Sequence, residues 1–195
     1  MQLRAESRHT SGMTDATTVV LVEGISDERA LEALARRRGR DLAAEGVAIV
    51  RMGGAQGIGG CLERYGPGGL DLRLAGLCDA GEEPYVRRAL ERAGLGSELT
   101  RGDLEELRFF VCDADLEDEL TRSLGPGAVE RVIEAEGETS SFRTFQKQPE
   151  KRNLTLEQQL RAFMWNRKIR YATPLVEALD LSRVPRPLDG LLAAI

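Results

Sequence analysis

The sequence predicts an α/β domain, a parallel sheet flanked by helices, with a helical C-terminal extension. Three observations lead there. Short apolar runs, the first of them mostly β-branched, alternate with helical periodicity up to about residue 127. That alternation gives parallel strands joined by right-handed crossovers. From Ala128 onward only helical patterns occur. The 195 residues, 42% hydrophobic and 30% charged, suffice for one real core and a small appendage.

Residues 1–16 are polar and rich in Ser and Thr, without the apolar centre of a signal peptide. They read as a disordered tail, and the protein as cytoplasmic. Residues 18–22 form the first strand, ended by Glu23-Gly24. Ser26 is placed to cap the following helix, with Asp27 and Glu28 in its first turn. Ala30, Leu31, Leu34 and Ala35 mark its apolar face, and Gly39 stops it. Residues 47–50 give a second strand, followed by a glycine-rich turn over 53–60 and a short helix through 61–64. Residues 72–78 give a third strand, and Pro84 opens the next helix, through Val86, Ala89 and Leu90 to Gly94. Residues 109–112 form the fourth strand, and Leu116, Leu120 and Leu124 lie on one face of the helix after it. Helical patterns follow over 129–135, 154–166 and 169–179, closed by Pro185 and Pro187. The expected organisation is a tail (1–16), an α/β core (17–127) and a basic helical region (128–195) packed on that core.

Composition excludes much chemistry. The single histidine, His9, lies in the tail, so Ser-His-Asp triads, Cys-His pairs and His-rich zinc sites are ruled out inside the fold. Cys61, Cys78 and Cys112 show no CxxC spacing, and Cys78 and Cys112, each after an apolar stretch, read as small buried residues near strand ends. No apolar run reaches the length of a membrane span. Acid, base or metal chemistry must therefore use carboxylates, lysine or water. Net charge is −5, unevenly spread: residues 143–186 hold ten Lys or Arg and four Asp or Glu, which is +6 and leaves −11 elsewhere. An acidic first part and a basic last part suit metal binding by one and polyanion binding by the other.

The acids fall at strand ends. Glu23 ends the first strand with Asp27 a turn on, Asp79 ends the third, and Asp113, Asp115 and Glu117 follow the fourth. In a parallel sheet these ends share one edge, where open α/β folds bind ligands. Carboxylates gathered there repel one another unless a cation neutralises them. Oxygen-only donors favour Mg²⁺, Mn²⁺ or Ca²⁺ over zinc.

Leu21-Val22-Glu23-Gly24-Ile25-Ser26-Asp27 resembles the first motif of TOPRIM (topoisomerase–primase) domains, above all those of the overcoming-lysogenization-defect (OLD) nucleases. Asp79 falls where that family has the aspartate after its third strand. Asp115-Leu116-Glu117 resembles its later Asp-Leu-Glu motif, and Lys168 resembles its lysine before an alanine-containing helix. The resemblance spans most of the chain from Val19 to about Ala178. It implies a TOPRIM-like (Rossmann-like) sheet and divalent-metal-dependent hydrolysis of DNA phosphodiesters by two metals. Glu23 would be ligand and general base, Asp27, Asp79, Asp115 and Glu117 further ligands of Mg²⁺ or Mn²⁺ (Ca²⁺ is also accommodated), and Lys168 a stabiliser of charge on phosphate. Asp113 serves equally as a helix cap.

Two departures qualify the implication. Ala80-Gly81 replaces the Asp-x-Asp common after the third strand, so Glu82 or the 113–117 segment must supply the missing carboxylate. The GxxxxGK[ST] phosphate loop is absent, so there is no ATP site in this chain and an ATPase partner would be a separate chain. Lys147, Lys151, Arg152, Arg167 and Arg170 are the candidate phosphate contacts for DNA. The aromatics between them, Trp165 included, have the spacing of core residues rather than stacking platforms. A non-catalytic metal- or nucleic-acid-binding module and a primase-like nucleotidyl transferase are the rival readings. The sequence leaves oligomeric state open.

Overall fold

A computed structural model describes residues 15–195; nearly all of the expected tail lies outside the described residues. Four strands, β1 (Thr18–Val22), β2 (Val47–Arg51), β3 (Arg73–Asp79) and β4 (Phe109–Cys112), form one parallel sheet in the order β2-β1-β3-β4. All five residues of β1 are buried, which is why it reads as a continuous apolar run rather than an alternating one.

The helices are α1 (Ile25–Arg37), α2 (Ile58–Tyr65), α3 (Glu83–Arg92), α4 (Arg101–Glu106), α5 (Leu116–Leu124), α6 (Pro126–Ala135), α7 (Thr139–Gln146), α8 (Leu156–Met164), α9 (Lys168–Ala178) and α10 (Arg186–Ala194). The period-two alternation of the strands sends their side chains into two cores. Val19 and Leu21, with Leu74, Cys78, Phe109 and Val111, meet α2, α3 and Leu104 of α4. Val20 and Val22, with Ala75, Leu77 and Cys112, meet α1, α5 and the C-terminal helices. Gly76 lies on the first of these faces because a Cβ there would stand 2.7 Å from the Phe109 ring and 3.1 Å from the Leu21 carbonyl oxygen.

Several boundaries differ from expectation. Ser26 does not cap α1; it lies inside the helix, and Asp27 reaches back to the Gly24 N–H at 2.9 Å instead. The glycine-rich stretch is partly ordered, as a 3₁₀ turn (Ala55–Gly57) running into α2. Helix α4 went unpredicted because it buries only Leu104; a Thr100–Asp103 capping box fixes it. Helix α7 likewise buries only Phe142. Pro185 and Pro187 open α10 rather than closing the region, since proline suits a first helical turn. A 3₁₀ turn, Trp165–Arg167, separates α8 from α9, so Lys168 begins its helix.

Helix α9 packs on α1, and arginines of α1 and its exit hold the C-terminal segment by its main chain. Arg29 donates to the Ile169 carbonyl at 2.9 Å, and Arg37 to those of Val176 and Leu179, both at 2.8 Å. Arg38 donates to the Leu181 carbonyl at 3.0 Å, and Arg40 to those of Leu192 and Ile195. Guanidinium groups at the C-terminal end of α9 add donors to its last carbonyls and complement its dipole. The same contacts fix where the opposite end of α9, and with it Lys168, points.

Candidate metal centre

The strand order reverses between β1 and β3. Helix α1 leaves β1 towards one face and α3 follows β3 on the other, so a crevice opens at the C-terminal ends of these two strands. Glu23 directly follows β1, and Asp79 is the last residue of β3. By strand alternation Asp79 shares the face of Ala75 and Leu77, the side of α1 and α9. Asp27 sits in the first turn of α1.

Asp115 caps α5, its Oδ1 accepting from the Asp118 N–H at 2.8 Å, and Glu117 lies in that helix's first turn. Both are buried, each 5% exposed. Their charge is met by Lys168, whose Nζ lies 2.8 Å from Glu117 Oε2 and 3.3 Å from Asp115 Oδ2. The ammonium also stands over the Trp165 ring, 4.9 Å from its centroid. A lysine 53 positions from Asp115 is thus brought to the strand ends by the docking of α9.

Burial pushes the Asp27 carboxyl up to about 6, with Glu117 and Glu23 adding to the rise against the Gly24 N–H and Lys168. Burial likewise pushes Asp79 up to about 8; Asp27, Glu23 and Asp115 raise it further and Lys168 opposes them. Burial of the Lys168 ammonium acts against its charge, but Glu117, then Asp115 and Asp79, outweigh it and raise its pKa. Asp27, Asp79 and Lys168 thus each feel charges on the neighbouring strand ends and helix start.

Among the described residues no three acidic, Cys or His side chains already stand as a coordination set. The donor chemistry nonetheless fits a hard divalent cation. Every acid is an oxygen donor, and Asp27 and Asp79 stand where their own ionised forms are disfavoured without added positive charge. In the arrangement present, Lys168 supplies the balancing charge to Asp115 and Glu117. Lys168 thus joins Asp115 and Glu117, while Glu23, Asp27 and Asp79 lie at the neighbouring strand ends and helix start. Asp113 is not among them; it is exposed and pairs with Arg101 and Arg122. Glu83, close to the departure after Asp79, is tied to Arg87 and Arg101. Cys78 and Cys112 are buried, and burial pushes the Cys78 thiol up to about 12, consistent with packing residues.

The basic candidates divide. Lys147 and Arg152 are exposed side chains of the α7–α8 connection, with Arg152 donating to the Lys147 carbonyl, and Lys151 lies over the Phe145 ring. Arg167 and Arg170 are instead held by Glu138, and Arg170 also by Glu136. Glu138, which in addition accepts from the Tyr171 hydroxyl at 2.8 Å, carried no sequence signal beyond its charge. Phe142, Phe163 and Tyr171 are buried as their spacing suggested, whereas Trp165 is 59% exposed.

A four-stranded parallel sheet between helical layers, with acids at the switch point and a lysine closing over them, defines a TOPRIM-type domain. Residues 16–79 match the TOPRIM domain of the overcoming-lysogenization-defect-protein-like family. Its fold is similar to the C-terminal region of the Burkholderia pseudomallei OLD protein, with a TM-score of 0.67 at 22% identity, covering 91% of this chain and 96% of that one. It is also similar to the C-terminal region of the Xanthomonas campestris pv. campestris OLD protein, with a TM-score of 0.72 at 21% identity, covering 94% of each. No curated protein matches the chain by sequence. Among the described residues no helix is long and apolar enough to cross a membrane.

Proposed function

We propose that the chain is a divalent-metal-dependent nuclease that hydrolyses phosphodiester bonds of DNA. The observation that carries this reading is the placement of Glu23 and Asp79 at the ends of β1 and β3 and of Asp27 in the first turn of α1, beside the Lys168–Asp115–Glu117 contacts, with burial disfavouring ionisation of Asp27 and Asp79. Glu23, Asp27, Asp79, Asp115 and Glu117 would hold Mg²⁺ or Mn²⁺. A bound pair of such cations supplies an activated water and charge on the leaving oxygen. Glu23, at the open end of β1, is the group proposed to take the proton of the attacking water. Lys168, released in part from Glu117, turns its ammonium to the charge that accumulates on the phosphoryl oxygens. Lys147, Lys151, Arg152, Arg167 and Arg170 are proposed to pair with backbone phosphates, a sequence-blind contact.

Supercoiled plasmid incubated with Mg²⁺ or Mn²⁺ should be nicked, and EDTA should abolish nicking. Glu23→Gln should lose the activity while keeping the wild-type melting temperature. An inert wild-type protein in both metals would point instead to a non-catalytic module. Primer synthesis from nucleoside triphosphates would point to nucleotidyl transfer.

A further inference from the structure

Four large hydrophobic side chains stand exposed among the described residues: Leu70, Tyr85, Trp165 and Ile169. Two of them, Trp165 at 59% and Ile169 at 47%, flank Lys168. An exposed tryptophan beside a charged cluster is not explained by the core, which takes its immediate neighbours Phe163 and Met164 completely. Those two anchor the 3₁₀ turn Trp165–Arg167, so the indole is held outward by a short, fixed segment. The Lys168 ammonium lies over the ring, and the solvent side of the indole is left open. Two arginines lie nearby: Arg29, which donates to the Ile169 carbonyl, and Arg161, exposed one helical turn before Trp165 and 3.4 Å from Asp118.

We infer that Trp165 is a stacking platform for an unpaired nucleotide base next to the phosphate handled by Lys168, which makes the preferred substrate single-stranded or locally unpaired nucleic acid. A base has a π-face that an indole can stack on whatever its identity, and the surrounding cations suit the phosphates on either side of it. In an intact duplex the bases are stacked on one another and offer the ring no free face; a protein reaches one only by extruding it. The exposed arginines Arg29 and Arg161 suit a polyanion better than an apolar protein segment. The inference rests on the nucleic-acid reading of the site.

Trp165 is the only tryptophan of the chain, so its fluorescence reports on this position alone. The full chain is titrated, in Ca²⁺, with end-labelled oligo(dT) and with a blunt duplex, reading label anisotropy for binding and indole emission for stacking. Oligo(dT) should quench the emission as it binds and the blunt duplex should not. Trp165→Ala should weaken oligo(dT) binding about tenfold, within the range of one base–aromatic stack, leave duplex affinity unchanged, and Trp165→Phe should recover most of the loss. Oligo(dT) binding without quenching, equal quenching by both ligands, or an unaltered Trp165→Ala would overturn the stacking role while leaving the nuclease reading standing. Wild-type protein that binds neither ligand would overturn both.

Discussion

At Asp79 a buried carboxyl is raised to about 8, against an unfolded value near 3.8. The folded state therefore favours the protonated form. The resulting stability is fully present below the unfolded value and is lost as pH rises through the folded one. Asp27, raised to about 6, acts in the same direction over a narrower window. In EDTA, Asp79→Asn should melt like wild type near pH 4 and above it at pH 8, because the variant cannot ionise. A melting difference that stays flat from pH 4 to 8 would rule out the raised carboxyl. Lys168 is the complementary test. Lys168→Met strands Asp115 and Glu117, both buried, so the metal-free protein should lose on the order of 3 kcal/mol in urea denaturation. Saturating Mg²⁺ should return part of that loss, since a ligand that binds only the native state stabilises it by mass action. Turnover should fall about a hundredfold with little change in DNA affinity. Equal destabilisation with and without Mg²⁺ would mean that no cation takes the place of the ammonium.

Among the elements, α1 and α9 decide whether the site assembles. Arg37 donates two charge-assisted hydrogen bonds to the last carbonyls of α9, each of a kind that contributes about 1.5–3 kcal/mol. Arg37→Met should therefore destabilise the fold by roughly 3–6 kcal/mol and loosen α9. The loosening would be visible as faster hydrogen exchange of its amides relative to those of α3. Unchanged exchange in α9 would mean that side-chain packing alone holds it. These long-range contacts also separate what the sequence disclosed from what it did not. The strands were legible because each is a short, mostly apolar run, and the acids because each falls at a strand end or in the helix start that follows it. The return of Lys168 to those ends depends on arginines of α1 meeting carbonyls some 140 positions later, which no local pattern encodes. Helices α4 and α7 were hidden because each buries a single side chain. Trp165 was misplaced in the core by grouping it with Phe142, Phe163 and Tyr171. Two residues beyond Phe163 is about 200° around a helix, which puts it on the opposite face.

Over the whole molecule, charge is segregated: +6 over residues 143–186 and −11 over the rest. The basic region alone does not predict strength of DNA binding, because its cations are not equally available. Arg170 is already paired with Glu136 and Glu138, through contacts of 3.2 and 3.1 Å. A phosphate reaching it must displace those carboxylates, so the exchange releases less net counterion. Lys147 and Arg152 are exposed on the α7–α8 connection and can meet phosphate directly. Each phosphate neutralised steepens the dependence of log affinity on log salt by about 0.9 on duplex DNA. Replacing Lys147, Lys151 and Arg152 together by Ala should thus flatten the slope by roughly 2–3. Arg170→Ala should flatten it by much less than one such contact, although its loss removes the same formal charge. Binding to a duplex over a series of NaCl concentrations, in Ca²⁺, measures both slopes. Equal flattening per residue in the two proteins would show that the Glu136 and Glu138 contacts are surrendered without cost. An unchanged slope in the triple variant would move the phosphate path off the α7–α8 connection altogether.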